Sequence, residues 1–293
     1  MAADVIAPLA RNDLYRPLLV FATALALCVV GLGAYVRLTD AGLGCPDWPG
    51  CYGHMLVPDS AADSGRAWRE MIHRYAAGSL GLLILALTLA AWRRPNYRSE
   101  RPWMETGLCG LVAMQALLGM WTVTELLKPV IVTIHLLGGM LVWTLLVVMC
   151  RREYATGKDG EWQGLGAIAA AAVLIQIVLG GWVSSHYAGL ACPDFPTCHG
   201  GWWPDGVAAS IHWAHRLGAM TVLALVGTYA VALLRIPARR WFGWAISAAL
   251  AIQLALGIAN VLLGLPLSLG VSHNLGAALL LAAVTISLAG RRT

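Results

Sequence analysis

Charged residues are scarce in this chain, and long apolar runs separate them. Asp, Glu, Lys and Arg make up 12% of the 293 residues, whereas a soluble domain carries about 25%. The mean hydropathy of +0.69 agrees with this deficit. The apolar runs also lack the alternation of apolar and polar residues that barrel strands require, so they indicate helices whose backbone groups bond internally. The composition predicts an all-α polytopic membrane protein.

The sequence also lacks a cleavable leader and a charge pattern for nucleic acid. No small-residue cleavage site follows the first apolar run, which begins after Arg16 and continues into Arg37, so we expect a retained span. The net charge of +5 does not indicate a nucleic-acid partner, because the basic residues lie at the ends of apolar runs.

The hydrophobic pattern predicts eight membrane spans of about 20 residues each. They cover residues 17–36, 70–92, 103–124, 130–150, 163–183, 211–234, 241–262 and 268–290. The positive-inside rule then places both termini in the cytoplasm, because 14 basic residues lie on that side and 4 lie on the other. The cytoplasmic set is Arg11, Arg16, Arg93, Arg94, Arg98, Arg101, Arg151, Arg152, Lys158, Arg235, Arg239, Arg240, Arg291 and Arg292, and the outward set is Arg37, Arg66, Arg69 and Lys128.

Two long connections, residues 37–69 and 184–210, are expected to face outward, and each contains a close cysteine pair. Cys45 and Cys51 lie in CPDWPGC, and Cys192 and Cys198 lie in CPDFPTC. Because an outward loop lies in an oxidising compartment, we expect one local disulfide in each loop. The alternative is a pair of reduced or metal-binding thiols, although the sequence shows no four-ligand zinc spacing.

The two halves of the sequence repeat each other. Residues 36–51 match 183–198 at an offset of 147, and residues 71–83 match 213–225 at an offset of 142. Segments 114–121 and 132–139 match 252–259 and 270–277 at an offset of 138. Each half has four spans and begins on the same side, so the repeats are parallel. We expect two pseudo-symmetric four-helix bundles, residues 17–150 and 163–290, with a cytoplasmic N-terminus (1–16), linker (151–162) and tail (291–293).

Four histidines occupy matched positions near the outward ends of the even-numbered spans. We expect each to lie four to six residues inside its helix, so that the first two face each other in one bundle and the last two in the other. An ionisable residue inside a membrane is costly and indicates function. A single intramembrane histidine is more often a helix-packing hydrogen bond, but four at one level favour paired ligation of heme iron. The residues are His73, His135, His215 and His273.

Arginines and glycines accompany these histidines. Arg74 and Arg216 directly follow His73 and His215, and they are suited either to neutralising heme propionates or to snorkelling toward headgroups. Nearby glycines either give a macrocycle room or let helices pack closely. They are Gly78, Gly138, Gly139, Gly218 and Gly276.

The halves differ three residues before the first histidine of each. Glu70 precedes His73, whereas His212 precedes His215, and an i, i+3 pair shares one helix face. A carboxylate beside an iron ligand is suited to proton transfer; the alternative is a residue near the helix N-terminus that favours the dipole. The loop histidines either line the mouth of the site or are simply solvated. They are His54, His186 and His199.

With these features in view, the sequence resembles the heme A synthase family from about residue 17 to 290. The resemblance is carried by Glu-Met-Ile-His-Arg at 70–74, Ala-His-Arg at 214–216, the other two histidines and both cysteine pairs. The family has two pseudo-symmetric four-helix bundles in the bacterial inner membrane. Its members oxidise one ring methyl of heme O to a formyl group, through an alcohol intermediate, and so supply heme A to heme-copper oxidases.

The resemblance also implies roles for individual residues. His73 and His135 would flank the substrate heme O, and Glu70 would be the catalytic carboxylate. His215 and His273 would ligate a prosthetic heme b. The first cysteine pair matches one that the family links to activity or heme transfer, and the second matches a more structural pair. By analogy, a heme O synthase would deliver the substrate, oxidase assembly factors would be further partners, and a homo-oligomer is possible.

Two other function classes share these histidines. A diheme membrane cytochrome of b type needs the four ligands but no reactive carboxylate, so Glu70 favours the enzyme. A heme exporter or chaperone would carry tryptophan-rich outer loops, and only short tryptophan clusters are present. A substrate transporter is disfavoured because no span is clearly broken near the membrane centre.

Overall fold

The computed structural model describes residues 14–93, 102–154 and 163–288, and within them it contains eight helices long and apolar enough to span a membrane. This confirms the predicted fold class. The helices are α1 (Tyr15–Leu38), α2 (Ser64–Arg93), α3 (Trp103–Thr124), α4 (Pro129–Tyr154), α5 (Gln163–Ser185), α6 (Val207–Leu234), α7 (Arg240–Leu262) and α8 (Leu267–Leu288), with a one-turn 3-10 helix at Pro237–Arg239 before α7.

Some sequence predictions fall outside the described residues. They are the positions of Arg11, Arg94, Arg98, Arg101, Lys158, Arg291 and Arg292, most of the linker, the tail and the last two residues of the final span. The side of the membrane that each loop faces stays a prediction.

Helices α2 and α6 begin earlier than the hydrophobic pattern predicts. α2 starts at Ser64 rather than 70, and α6 starts at Val207 rather than 211. His73 and His215 therefore lie nine and eight residues after the first residue of their helices. The predicted position of four to six residues inside the helix was wrong for both. The reason is that a hydropathy window ends where the apolar run ends, whereas helical hydrogen bonding continues into the polar turn beyond it.

Helix contacts form two closed rings. α1, α2, α3 and α4 contact one another in sequence and α4 returns to α1; α5 to α8 close in the same way. The rings meet through α1 against α8, α4 against α5 and α4 against α8. Contacts of this kind are those expected from a twofold arrangement of the repeats, and they favour the predicted division into two bundles.

Equivalent positions of the repeats also meet at the C-terminal ends of α1 and α5. Nη2 of Arg37 donates to the carbonyl oxygen of Ser184 at 2.5 Å. The Tyr187 hydroxyl donates to Oδ1 of Asp40 at 3.1 Å, and the Arg37 guanidinium lies over the Tyr187 ring. Both pairs are 147 residues apart, which is the repeat offset. Contacts between repeat equivalents are what a twofold relation between the repeats predicts close to its axis.

Both long connections contain the predicted disulfide. Cys45 bonds to Cys51 and Cys192 bonds to Cys198. Each loop closes with a small antiparallel bridge, between Cys51 and His54 and between Cys198 and Gly201. The reading as reduced thiols was therefore wrong, and the described residues contain no group of three or more metal-binding side chains.

Candidate functional site

Each of the four predicted ligand histidines lies against a glycine of the preceding helix. A Cβ atom built on that glycine would lie 3.1 Å from Cε1 of His73, 3.5 Å from Cε1 of His135, and 3.1 Å from Cε1 of His215 and of His273. At 3.1 Å the imidazoles of His73, His215 and His273 occupy space that a larger side chain would need, whereas 3.5 Å at His135 is an ordinary van der Waals distance. The supporting glycines are Gly33 on α1, Gly119 on α3, Gly180 on α5 and Gly257 on α7.

The histidine-bearing helices are the diagonal members of each ring, so their imidazoles face across the centre. The ring centroids of His215 and His273 are 6.4 Å apart, with planes inclined by 78°. An imidazole nitrogen lies about 2 Å from a bound transition metal, and the ring centre is about 1 Å farther, so two rings on one iron are about 6 Å apart. The observed separation fits a shared iron atom.

Buried ring nitrogens of the histidines also indicate iron binding. Nδ1 of His73, His135 and His273 is buried without a hydrogen-bond partner in the described part of the chain. A buried polar atom without a partner is costly. Neutral imidazole nitrogens are good ligands for heme iron, and such a bond would satisfy these atoms.

Glutamine side chains also contact two of these histidines, and the sequence analysis did not predict these contacts. Nε2 of Gln176 donates to the carbonyl oxygen of His215 at 2.8 Å and shares a hydrogen bond with its Nδ1 at 3.0 Å. Nε2 of Gln253 donates to the carbonyl oxygen of His273 at 3.1 Å and lies 3.4 Å from its Nε2. The signal was present, because the matched segments 114–121 and 252–259 carry a glutamine at the same position.

Three of the predicted glycines lie directly against glutamine side chains. A Cβ on Gly138, Gly218 or Gly276 would lie 1.9, 2.1 or 2.3 Å from the amide of Gln115, Gln176 or Gln253, respectively. These distances support the reading of close helix packing for those glycines. Open space surrounds a Cβ built on Gly78 or Gly139.

Glu70 is buried and joins the first disulfide loop to α2. Its Oε2 accepts the backbone N–H of Cys45 at 2.9 Å, and its Oε1 pairs with Nη2 of Arg74 at 2.5 Å. Glu70 is 4% exposed. It lies six residues after Ser64, beyond the first turn of α2, so the alternative of a helix N-terminal residue was wrong. The carboxylate instead lies between the disulfide and the His73 helix.

The second half has a corresponding arrangement of hydrogen bonds, with an imidazole in place of the carboxylate. Nδ1 of the buried His212 accepts the backbone N–H of Cys192 at 3.3 Å. Nη1 and Nη2 of Arg216 donate to the carbonyl oxygens of Thr197 at 2.6 Å and Cys192 at 2.7 Å. A buried carboxylate beside the cysteine loop is therefore particular to the first half.

Arg74 is directed into the first loop rather than toward the headgroups. Its Nη1 donates to the carbonyl oxygens of Asp47 at 2.8 Å and Gly50 at 2.6 Å. Arg216 occupies the corresponding place in the second loop, so snorkelling is not the arrangement of either side chain. Nε of Arg216 is a buried donor with no partner among the described residues.

An aspartate shapes the turn in each loop. Oδ2 of Asp47 accepts the N–H of Gly53 at 2.7 Å and Oδ1 accepts that of Tyr52 at 2.6 Å. The hydrogen bond from Gly53 is the main cause that lowers the pKa of Asp47 below 3.8. The Thr197 hydroxyl, followed by backbone N–H groups, likewise lowers the pKa of Asp194.

The three loop histidines lie in the connections and not on the helices that carry the four imidazoles. His54 and His199 are exposed, and Nε2 of His199 bonds to the carbonyl oxygen of Ala191 at 2.9 Å. His186 is half-buried against Trp182, whose carbonyl oxygen bonds to its Nδ1 at 2.9 Å. These contacts favour the solvated reading for His54 and His199.

Comparisons with known proteins agree on one family. The COX15-CtaA family, described as cytochrome oxidase assembly protein, matches residues 16–285. A heme A synthase of Shewanella oneidensis is 38% identical, covering 87% of this chain and 90% of that protein. Heme A synthases of Bacillus licheniformis and Rhizorhabdus wittichii are 29% and 28% identical, covering 89% and 95% of this chain and 91% and 94% of theirs.

Proposed function

Since the chain belongs to the COX15-CtaA family of cytochrome oxidase assembly proteins, we propose that it is a heme A synthase. It is an oxidoreductase that converts a methyl group of heme O into the formyl group of heme A. The observation that carries this proposal is the layer of four imidazoles, two in each half, on diagonal helices and backed by glycines. Flat iron macrocycles fit between such pairs.

The two pairs have different tasks in this proposal. His73 and His135 hold the substrate heme O, because the buried carboxylate of Glu70 lies on the same helix face as His73. His215 and His273 hold a prosthetic heme b, which supplies one-electron redox chemistry when bound. Their 6.4 Å centroid separation supports this ligand role.

Glu70 is the catalytic carboxylate of the proposal, and its task is to accept a proton during oxidation of the methyl group. Its two hydrogen-bond partners fix its position, and only the first half has this carboxylate. A positioned carboxylate in a site that excludes bulk water is suited to proton transfer.

Arg74 and Arg216 bind heme propionates at the outward edge. A guanidinium has five N–H donors, so contacts with the loop carbonyls leave further donors for a carboxylate. The buried and unpartnered Nε of Arg216 is one such donor. The same residues would thus hold the cysteine loops and the propionates.

The proposed setting is a bacterial inner membrane with both termini in the cytoplasm. A heme O synthase would supply the substrate, and oxidase assembly factors would receive the product. The apolar surface between helices suits the isoprenoid tail of heme O, which can remain among lipids while the ring lies in the bundle.

Expression in a host that makes heme O but no heme A tests the function. Porphyrins extracted from the purified protein, identified by chromatography and mass spectrometry, should include heme A and its alcohol precursor. His135→Ala should abolish both products, whereas His54→Ala, at an exposed loop histidine, should retain them. Heme b alone at both sites, without conversion, would instead support a diheme cytochrome.

Glu70→Gln separates catalysis from binding. The amide keeps an acceptor for the Cys45 N–H but cannot take up a proton as the carboxylate does. We expect the variant to retain heme and to lose conversion. Full conversion by Glu70→Gln would remove Glu70 from the mechanism.

A further inference from the structure

Three of the four histidines share a second feature that the fourth lacks. In each set, a glutamine of the preceding helix lies over the glycine three residues after the histidine. For His215 and His273, the amide reaches both the histidine backbone and its ring. The three sets are Gln115, His135 and Gly138; Gln176, His215 and Gly218; and Gln253, His273 and Gly276.

His73 departs from this pattern at both positions. The repeat offset of 147 pairs Gln176 with Val29, and the offset of 142 pairs Gly218 with Ala76. A Cβ on Gly218 would lie 2.1 Å from Oε1 of Gln176, so an alanine there excludes the glutamine amide. Val29 and Ala76 are therefore compatible with each other. They leave His73 without the glutamine amide, called the clamp below, that lies over the glycine in the other three sets.

The remaining surroundings of His73 are those of the other histidines. Gly33 lies against its ring as Gly180 lies against that of His215, at the same 3.1 Å. The Gln176 amide holds His215 at its backbone carbonyl and at its ring. No side-chain amide hydrogen-bonds to His73 in the described part of the chain, so the His73 ring keeps more rotational freedom.

Groups that bond to a metal-binding histidine fix its ring orientation, and their loss typically weakens metal binding by about 10- to 100-fold. We propose that the three glutamines are positioning residues that lock His135, His215 and His273 as iron ligands, and that His73 is the exchangeable ligand of the substrate heme. The inference rests on the proposed function, because it requires heme at both histidine pairs. The substrate heme would then be held firmly by His135 and exchangeably by His73, which suits loading, release and access of a small ligand.

The first test uses carbon monoxide on the dithionite-reduced, heme-loaded protein in detergent. Carbon monoxide takes the coordination position of His73 without a change in iron oxidation state. The shift of the Soret band measures the bound fraction, independently of turnover. We expect the wild-type protein to bind carbon monoxide at one heme and to leave the clamped heme unreacted.

Val29→Gln with Ala76→Gly installs the missing clamp, and Val29→Met with Ala76→Gly is the matched control without an amide. The clamp variant should bind carbon monoxide about tenfold more weakly than the control. Equal affinity in the two double variants would overturn the inference.

Gln176→Met removes a clamp while keeping side-chain length, and it decides the question even if the double variants fail to fold. It should make the second heme reactive with carbon monoxide at about tenfold lower ligand concentration than in the wild type. An unreactive second heme in Gln176→Met would contradict the clamp.

His73→Ala and His135→Ala keep this test separate from the proposed function. If neither lowers the heme content or alters the spectrum, the placement of heme itself is wrong. If both lose the reactive heme while the glutamine variants behave as wild type, only the clamp inference fails.

Discussion

Replacing Arg74 with glutamine should destabilise the protein far more than the same replacement of Arg216. Both arginines donate to backbone carbonyls of their cysteine loops. Arg74 in addition neutralises the carboxylate of Glu70, and the exposed fractions of the two side chains are 13% and 5%. At the position of Glu70 the second half has His212, which carries no negative charge to neutralise.

The magnitude follows from the charge that stays behind. Removing one partner of a buried ion pair costs about 3–5 kcal/mol, because the other charge remains desolvated. The partial exposure of Arg74 places its variant at the lower end, about 3 kcal/mol. Loop hydrogen bonds of similar number are lost in both arginine variants and largely cancel in the comparison. Arg74→Gln should therefore unfold with a free energy about 2–3 kcal/mol lower than that of Arg216→Gln.

A double-mutant cycle isolates the pair. Unfolding of the detergent-purified protein by increasing mole fractions of dodecyl sulfate, followed by tryptophan fluorescence, gives the free energy of each variant. Glu70→Gln combined with Arg74→Gln should recover about 2 kcal/mol relative to Arg74→Gln alone, because no unpaired charge remains buried. The reasoning is refuted if the double variant is as unstable as Arg74→Gln, or if the two arginine variants unfold alike.

Three shorter predictions follow. Gly180→Ala places a Cβ 3.1 Å from Cε1 of His215, so we expect a lower ratio of heme b to protein in pyridine hemochrome spectra, and an unchanged ratio would contradict it. In the folded protein the pKa of Asp47 lies below its ordinary 3.8. The stabilisation that the ionised carboxylate provides is therefore complete above pH 3.8 and is lost as the pH falls through the folded pKa. The difference in Tm between wild type and Asp47→Asn should thus be constant from about pH 7 to 5 and shrink below about pH 4; a difference that grows on acidification would refute this sign. Cys192→Ser with Cys198→Ser opens a loop of six residues' separation, which should cost about 2 kcal/mol of unfolding free energy. Dithiothreitol should lower the Tm of wild type by more than that of this variant, in which only the Cys45–Cys51 bond remains to be reduced.

The sequence determined the features that depend on local and repeated patterns. Apolar runs of membrane length predicted eight helices, and the structure confirmed them because hydropathy and helix formation in lipid act over neighbouring residues. The paired cysteines predicted both disulfides, because six residues of separation leave each cysteine few other partners. The internal repeat indicated which histidines are equivalent.

Only the tertiary structure decided which side chains meet between helices. The amide of Gln176 reaches His215 across 39 positions of sequence, and Glu70 reaches the N–H of Cys45 across 25. Such contacts depend on the rotation and height of each helix, which the packing of whole helices determines and no local pattern encodes. The extra polar turn of α2 has the same origin, since it is stabilised by the loop folded against it rather than by its own hydropathy.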